Sequence, residues 1–272
     1  MHIDKQKLSW VKNVFNKFSL LKKGKMKRMK FLAILVIALF IVTGVYAQGF
    51  STGADIVSSY VWRGIPQDRT VAGNPSLGNP NIQPYLSFTT GSLTIGSWAS
   101  GSFIGNVKEV DVYVTYSLST ALALTVTDYN WSFANPKGYF YYGYGTDHMF
   151  EASVTYTGPA TFPLGVSVNT IFAGSDTLLT GKQAFSTYAE LNYPVTANVK
   201  LFCGASLFKS KNVYNTSGFA VTNLGIKVSK SIPITDKFSL PVYGVLGANL
   251  SNKDADGFSK STNLYFVAGF AL

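Results

Sequence analysis

Cysteine is nearly absent from this 272-residue chain. Cys203 stands alone, which excludes an internal disulfide, and with only two histidines in the sequence no zinc-binding spacing can be assembled. Charge is also scarce, with Asp, Glu, Lys and Arg making up 13% of the residues against about 25% in an average soluble chain. Helical periodicity is a third absence. After Val45 no apolar 3.6-residue period runs beyond two turns, so a helical bundle is excluded. The formal charge of +10 invites a nucleic-acid reading, but residues 1–47 hold ten of the 23 Lys and Arg and one of the 13 acids. The rest carries 13 basic against 12 acidic residues, and nucleic acid is not an expected partner.

What the N-terminus does have is the layout of a secretory signal. "KKGKMKRMK" leads into "FLAILVIALFIVTGVYA", a basic region followed by an apolar stretch and the small-residue site Val45, Tyr46, Ala47. A membrane anchor would need about 20 apolar residues, whereas Thr43 and Gly44 interrupt the run that begins at Phe31. The expected organisation is an N-terminal extension and signal peptide over 1–47, cleaved after Ala47, and one domain over 48–272. A start at Met29 would also leave a complete signal.

That domain reads as twelve strands, over 54–64, 82–89, 92–100, 108–118, 121–130, 148–157, 163–173, 183–194, 197–208, 217–230, 237–248 and 263–272. The connections alternate in length, tight at 90–91, 119–120, 158–162, 195–196 and 231–236 and longer between. A sandwich gives no reason for every second connection to be tight, whereas an outer-membrane barrel has short periplasmic turns and long external loops. The fold class is therefore all-β, a transmembrane antiparallel up-and-down barrel of 12 strands in the outer membrane of a Gram-negative bacterium. Aromatic residues near strand ends (Tyr60, Trp62, Trp98, Tyr129, Trp131, Tyr156, Phe172, Tyr193) suit interfacial girdles against outer-membrane lipid. In "EVDVYVTYSL" the alternation separates Val110, Val112, Val114, Tyr116 and Leu118 from Glu109, Asp111, Tyr113, Thr115 and Ser117. A barrel turns the valines to lipid and the acids to the lumen. The terminal "LYFVAGFAL" looks like a strand signal for the barrel-assembly machinery, with Leu272 where an aromatic is commoner.

Three stretches in order, "SSYVWRGIPQD" from Ser58, "EVDVY" from Glu109 and "VTDYNW" from Val126, resemble the TorF-type porin family. The matched positions are Tyr60, Val61, Arg63, Gly64, Ile65 and Gln67, then Glu109, Asp111 and Tyr113, while Pro66 replaces a commoner Ser. The resemblance implies an outer-membrane channel and brings no substrate with it.

Twelve strands about 4.8 Å apart, tilted by about 40°, give a backbone diameter of roughly 24 Å. Side chains would leave about 10 Å open, enough for small polar solutes. Alternation places Arg63 on the first strand, with Glu109, Asp111, Glu151 and Glu190 on one arc of the lumen and Lys200 and Lys227 on the other. Arg63, Glu109, Asp111 and Glu151 fall toward the outer end and the rest toward the inner. Facing one another across water, these charges would set a transverse field that orients solutes. The alternatives are plain solvation, or retention of an inward-folded first loop through Asp68 and Arg69.

The loop 135–145 offers Tyr139, Phe140, Tyr141, Tyr142 and Tyr144, either as a sugar-stacking surface or as part of the outer girdle. No cofactor or metal is expected, and the primary reading is a passive channel rather than an enzyme. Two rivals stand beside it, a plugged structural or adhesive barrel acting through its loops and a lipid-modifying enzyme. The enzyme needs a nucleophile within reach of a base. The only histidine after the signal is His148, beside Asp147; Ser153 falls on the opposite strand face, leaving Ser100 and Ser132 as candidates.

Overall fold

The structure, a computed structural model, describes residues 49–67, 78–103, 108–131, 140–143, 146–178, 180–251 and 264–272. The signal segment, Asp68, Arg69, Ser132, Tyr139 and Tyr144 lie outside the described residues. The elements are β1 (Gly49–Val57), β2 (Val61–Trp62), β3 (Ile65–Pro66), β4 (Asn81–Thr90), β5 (Leu93–Ser102), β6 (Lys108–Ser117) and β7 (Leu122–Asn130). They continue as β8 (His148–Thr157), β9 (Gly165–Gly174), β10 (Thr187–Thr196), β11 (Val199–Ser206), β12 (Ala220–Thr235), β13 (Phe238–Ala248) and β14 (Leu264–Ala271). All but β2 and β3 form one closed barrel of twelve antiparallel strands, each paired to its chain neighbour and β1 to both β4 and β14. Closure removes every sheet edge, which a barrel in lipid requires because hydrocarbon cannot satisfy free backbone groups.

The barrel is inside out relative to a soluble protein. Val112 and Val114 are 40% and 42% exposed, whereas Glu109 and Asp111, earlier on the same strand, are 1% and 5% exposed. Leu86, Ile95, Leu124, Val126, Val154, Leu191, Leu201 and Leu246 join the apolar outer face. Among the described residues the buried apolar cluster is small, built on Val57, Tyr265 and Val267. At about 25 cal/mol per Å², leaving this apolar belt in water is unfavourable, so the wall calls for an apolar covering.

Strand boundaries depart from the sequence expectation in two instructive places. β12 continues through Thr235 and turns at Asp236 and Lys237, so 231–236 is largely strand rather than turn. The misleading residue is Pro233. It pairs with Ser239 in a two-stranded ribbon beyond the last β11 pairing at Val228, where a missing N–H leaves no ladder bond broken. The second departure is the first strand, expected over 54–64. β1 ends at Val57; Ser58 closes the ladder with its N–H on the Ala268 carbonyl at 2.8 Å, and the chain leaves the wall.

Five inward tyrosines lie against wall glycines. Tyr113 faces Gly96, Tyr85 faces Gly53 and Tyr243 faces Gly269 across adjacent strands, and a Cβ at any of these glycines would overlap the ring. Tyr265 covers Gly247 and Tyr188 covers Gly204 in the same manner. Rings laid along the wall cover strand glycines and project less far into the lumen than rings standing upright.

Candidate functional site

After Ser58 the chain folds into the barrel as a hairpin, β2 pairing with β3 through Val61 with Pro66 and Trp62 with Ile65. Its two-residue turn is Arg63 and Gly64, with φ of 51° and 79°. Positive φ at both central residues is the signature of a tight hairpin turn matched to strand twist. Gly64 has a second reason to be glycine, since a Cβ there would collide with the Thr222 carbonyl. Asn249 Nδ2 donates to the Gly64 carbonyl at 3.3 Å and fixes the tip against the β13 side.

Arg63 is therefore not a wall residue of the first strand, and this corrects the sequence expectation. Its side chain crosses the lumen and meets Glu151 on β8 in a fork, Nη1 to Oε2 at 2.5 Å and Nη2 to Oε1 at 2.7 Å. Nη1 also donates to the Tyr214 hydroxyl at 2.6 Å. The guanidinium carbon lies 4.5 Å from the Trp62 ring centre and 4.8 Å from that of Tyr188. Left-handed backbone costs a non-glycine residue about 1–2 kcal/mol, which a paired, stacked guanidinium offsets. Glu151 also accepts from Tyr129 Oη at 3.0 Å and from Ser153 Oγ at 3.3 Å. The two charges are in contact rather than facing each other across water.

Aromatic rings complete the layer. Trp62 packs edge-on to Tyr129 and Trp131 and stacks on Tyr214 at 5.7 Å; Tyr214 stacks on Tyr188 at 5.6 Å, and Tyr60 leans on Trp98 at 5.4 Å. Tyr214 comes from the β11–β12 connection, closed on itself by paired Ser210 and Thr216 backbone bonds. That connection is tied to the β9–β10 connection, where Asp176 accepts from the Ser186 N–H and hydroxyl and the Ser186 hydroxyl meets that of Ser210 at 2.6 Å. Burial raises the Tyr214 phenol to about 12, so it meets Arg63 as a neutral hydroxyl.

Glu109 and Asp111 do face inward, but the layer seals them from water. Among the described residues, neither Glu109 oxygen nor Asp111 Oδ1 has a hydrogen-bond partner. This corrects the expectation of a solvated acidic wall: Glu109 and Asp111 are buried with Glu151, which is 1% exposed and consumed by Arg63.

Below the hairpin, toward the tight turns, Glu190, Lys200 and Lys227 line one cavity of about 270 Å³. Lys200 and Lys227 stand directly opposite each other on β11 and β12. Glu190 Oε2 accepts from Tyr188 Oη at 2.5 Å and Asn223 Nδ2 at 3.0 Å. Asp55, an inward acid that the sequence reading passed over, accepts from Tyr243 Oη at 3.1 Å.

On the outer face, Tyr142 folds back over His148 with ring centres 4.2 Å apart, next to Phe150 and Phe172. Its ring packs on the outside of the wall rather than over the lumen, whereas Phe140 is 85% exposed and Tyr141 partly buried. His148 pairs with Asp128 on the neighbouring strand, Nδ1 to Oδ1 at 2.7 Å, and Asn130 Nδ2 lies 2.9 Å from Nε2. Tyr142 Oη adds a bond to Asp128 Oδ2 at 3.1 Å. Ser153 is inward with Glu151, and Ser100 is inward too, donating to Asn81 Oδ1 at 3.3 Å.

Trp62, Tyr188 and Tyr214 were not anticipated as site residues. The signal for the first was present in Arg63-Gly64, a turn pair between two short apolar dipeptides. No family model and no curated protein matches the chain.

Proposed function

We propose that this barrel is an outer-membrane channel for small polar solutes, narrowed at its outer end by the Arg63 hairpin. The observation that carries the reading is the inverted wall. Apolar residues cover the outside, and below the hairpin the inner face is lined with Ser51, Ser87, Thr89, Thr94, Thr115 and Thr125, paired across strands as Thr89 with Thr94 and Thr115 with Thr125. A polar lining is what a water-filled lumen requires. The resemblance to TorF-type porins agrees, since "YVWRGI" forms the hairpin and "EVDVY" supplies Glu109 and Asp111 on the wall. In this reading the termini and tight turns face the periplasm, the signal is removed at Ala47, and the C-terminal strand engages the assembly machinery.

Planar-bilayer recording tests the channel. The wild type should give small conductance steps above the bare bilayer, and Arg63→Ala should enlarge them or lengthen their open time. Silence from both proteins would support the plugged structural barrel instead. Mass spectrometry of the outer-membrane form should begin at Gln48; a mature protein retaining Phe31–Val42 would overturn the export route.

A further inference from the structure

Lys200 and Lys227 are directly opposed on the lumen wall, and neither forms an ion pair among the described residues. Like charges directly opposite on paired strands are destabilising. Two carboxylates stand near them, Glu190 on the wall of the same cavity, bonded to Tyr188 and Asn223, and Asp55, bonded to Tyr243, but neither reaches an ammonium in an ion pair, and Glu151 is taken by Arg63. One ammonium is directed, since Lys227 Nζ sits 4.0 Å over the centre of the Tyr243 ring. Both lysines border the cavity of about 270 Å³ whose other walls include Phe202, Tyr243, Val245 and Val267. That volume falls just below the ~300 Å³ at which ordinary small-molecule pockets begin.

We infer that this cavity is a binding site for small organic monoanions, compounds with one carboxylate on a compact apolar or aromatic body. The carboxylate would lie between Lys200 and Lys227 and relieve their repulsion; the body would lie on Phe202, Val245 and Val267 beneath the hairpin. An inorganic anion would satisfy the lysines and leave the apolar wall uncovered. An organic cation would meet the two ammonium groups at the tight-turn side. The inference rests on the channel reading for its biological sense, since it names the solute class such a channel would select, but binding can be measured without conduction.

The test is benzoate binding to the folded barrel in detergent micelles, followed by ligand-observed NMR, with benzyl alcohol, benzylammonium and acetate as comparisons. Benzoate should bind more tightly than the other three. Lys200→Gln with Lys227→Gln should weaken it by roughly tenfold or more, the scale of losing charge-assisted bonds. Phe202→Ala should weaken benzoate while leaving acetate unchanged. Heat-modifiable migration on gels confirms that each variant is folded, and Lys200→Arg with Lys227→Arg, which keeps both charges, should bind benzoate where the Gln pair does not. Benzoate affinity indifferent to the Gln pair, or acetate binding as tightly as benzoate, would overturn the site. Binding as expected with no conductance in any variant would sink the channel and leave the site; conductance without benzoate binding would do the reverse.

Discussion

The two halves of this lumen share one wall and one circumference, yet the half under the long loops is packed and the half toward the tight turns is open. In the packed half a hairpin and a connection enter the barrel, and their side chains consume the wall's polar groups: Arg63 takes Glu151, Trp62 covers Tyr129 and Trp131, and Tyr214 closes over Arg63. In the open half no described loop enters, tyrosines lie along the wall on Gly53, Gly96 and Gly269, and the two lysines keep their charges free of ion pairs. Strand number sets how much room a barrel has. Whether that room is used depends on the loops.

The comparison breaks most severely if Arg63 is removed. Arg63→Ala leaves Glu151 buried without its cation, and breaking a buried pair from one side costs about 3–5 kcal/mol. The expected result is release of the hairpin, read as iodide quenching of Trp62 in a background where the other tryptophans are replaced by Phe. Arg63→Gln with Glu151→Gln should recover much of the seating, because no uncompensated charge remains. Equal quenching in wild type and Arg63→Ala would mean that the aromatic layer holds the hairpin unaided.

The next change touches neither half and tests the outer wall they share. Val112→Arg places a charge on the belt at a cost of about 2–4 kcal/mol near the bilayer midplane, and urea titration of the barrel folded into lipid vesicles should show that loss. Thr115→Arg, one position past Val114 on the inner face, should cost far less. Cysteine scanning in a Cys203→Ser background gives the same contrast, with a water-soluble thiol reagent labelling positions 113 and 115 before 112 and 114.

A smaller effect sharpens the packed half alone. Gly64→Ala introduces a Cβ against the Thr222 carbonyl and into a turn with φ of 79°, so strain of about 1–2 kcal/mol should loosen the tip and raise Trp62 quenching to a value between those of wild type and Arg63→Ala. The smallest effect belongs to the open half. Gly96→Ala pushes the Tyr113 ring off the wall and into the lumen, which should lower conductance with a stability loss of about 1 kcal/mol or less. Conductance that rises instead would mean the ring does not border the path.

The halves also differ in how much of them could be read beforehand. The inner faces of β6, β8, β10, β11 and β12 follow from period-two alternation, so Glu109, Asp111, Glu151, Glu190, Lys200 and Lys227 sit inward as the pattern requires. Arg63 breaks that logic, because the same alternation continues through "SSYVWRGI" while the backbone reverses at two left-handed residues. His148 shows a comparable limit. Its sequence neighbour is Asp147, but antiparallel pairing brings Asp128 and Asn130 to its ring from the adjoining strand.

By itself the sequence determined the fold class, the number of barrel strands and the inward or outward side of their residues. These depend on local alternation and on turn spacing, both one-dimensional properties. Only the tertiary structure decided that the hairpin leaves the wall, that Arg63 spends its charge on Glu151, that Glu109 and Asp111 are sealed, and that Lys200 and Lys227 stand opposed without an ion pair among the described residues. The physical reason is that a charge's role in a lumen is set by what lies opposite it across the barrel, and residues 63 and 151 share no periodicity that could have brought them together.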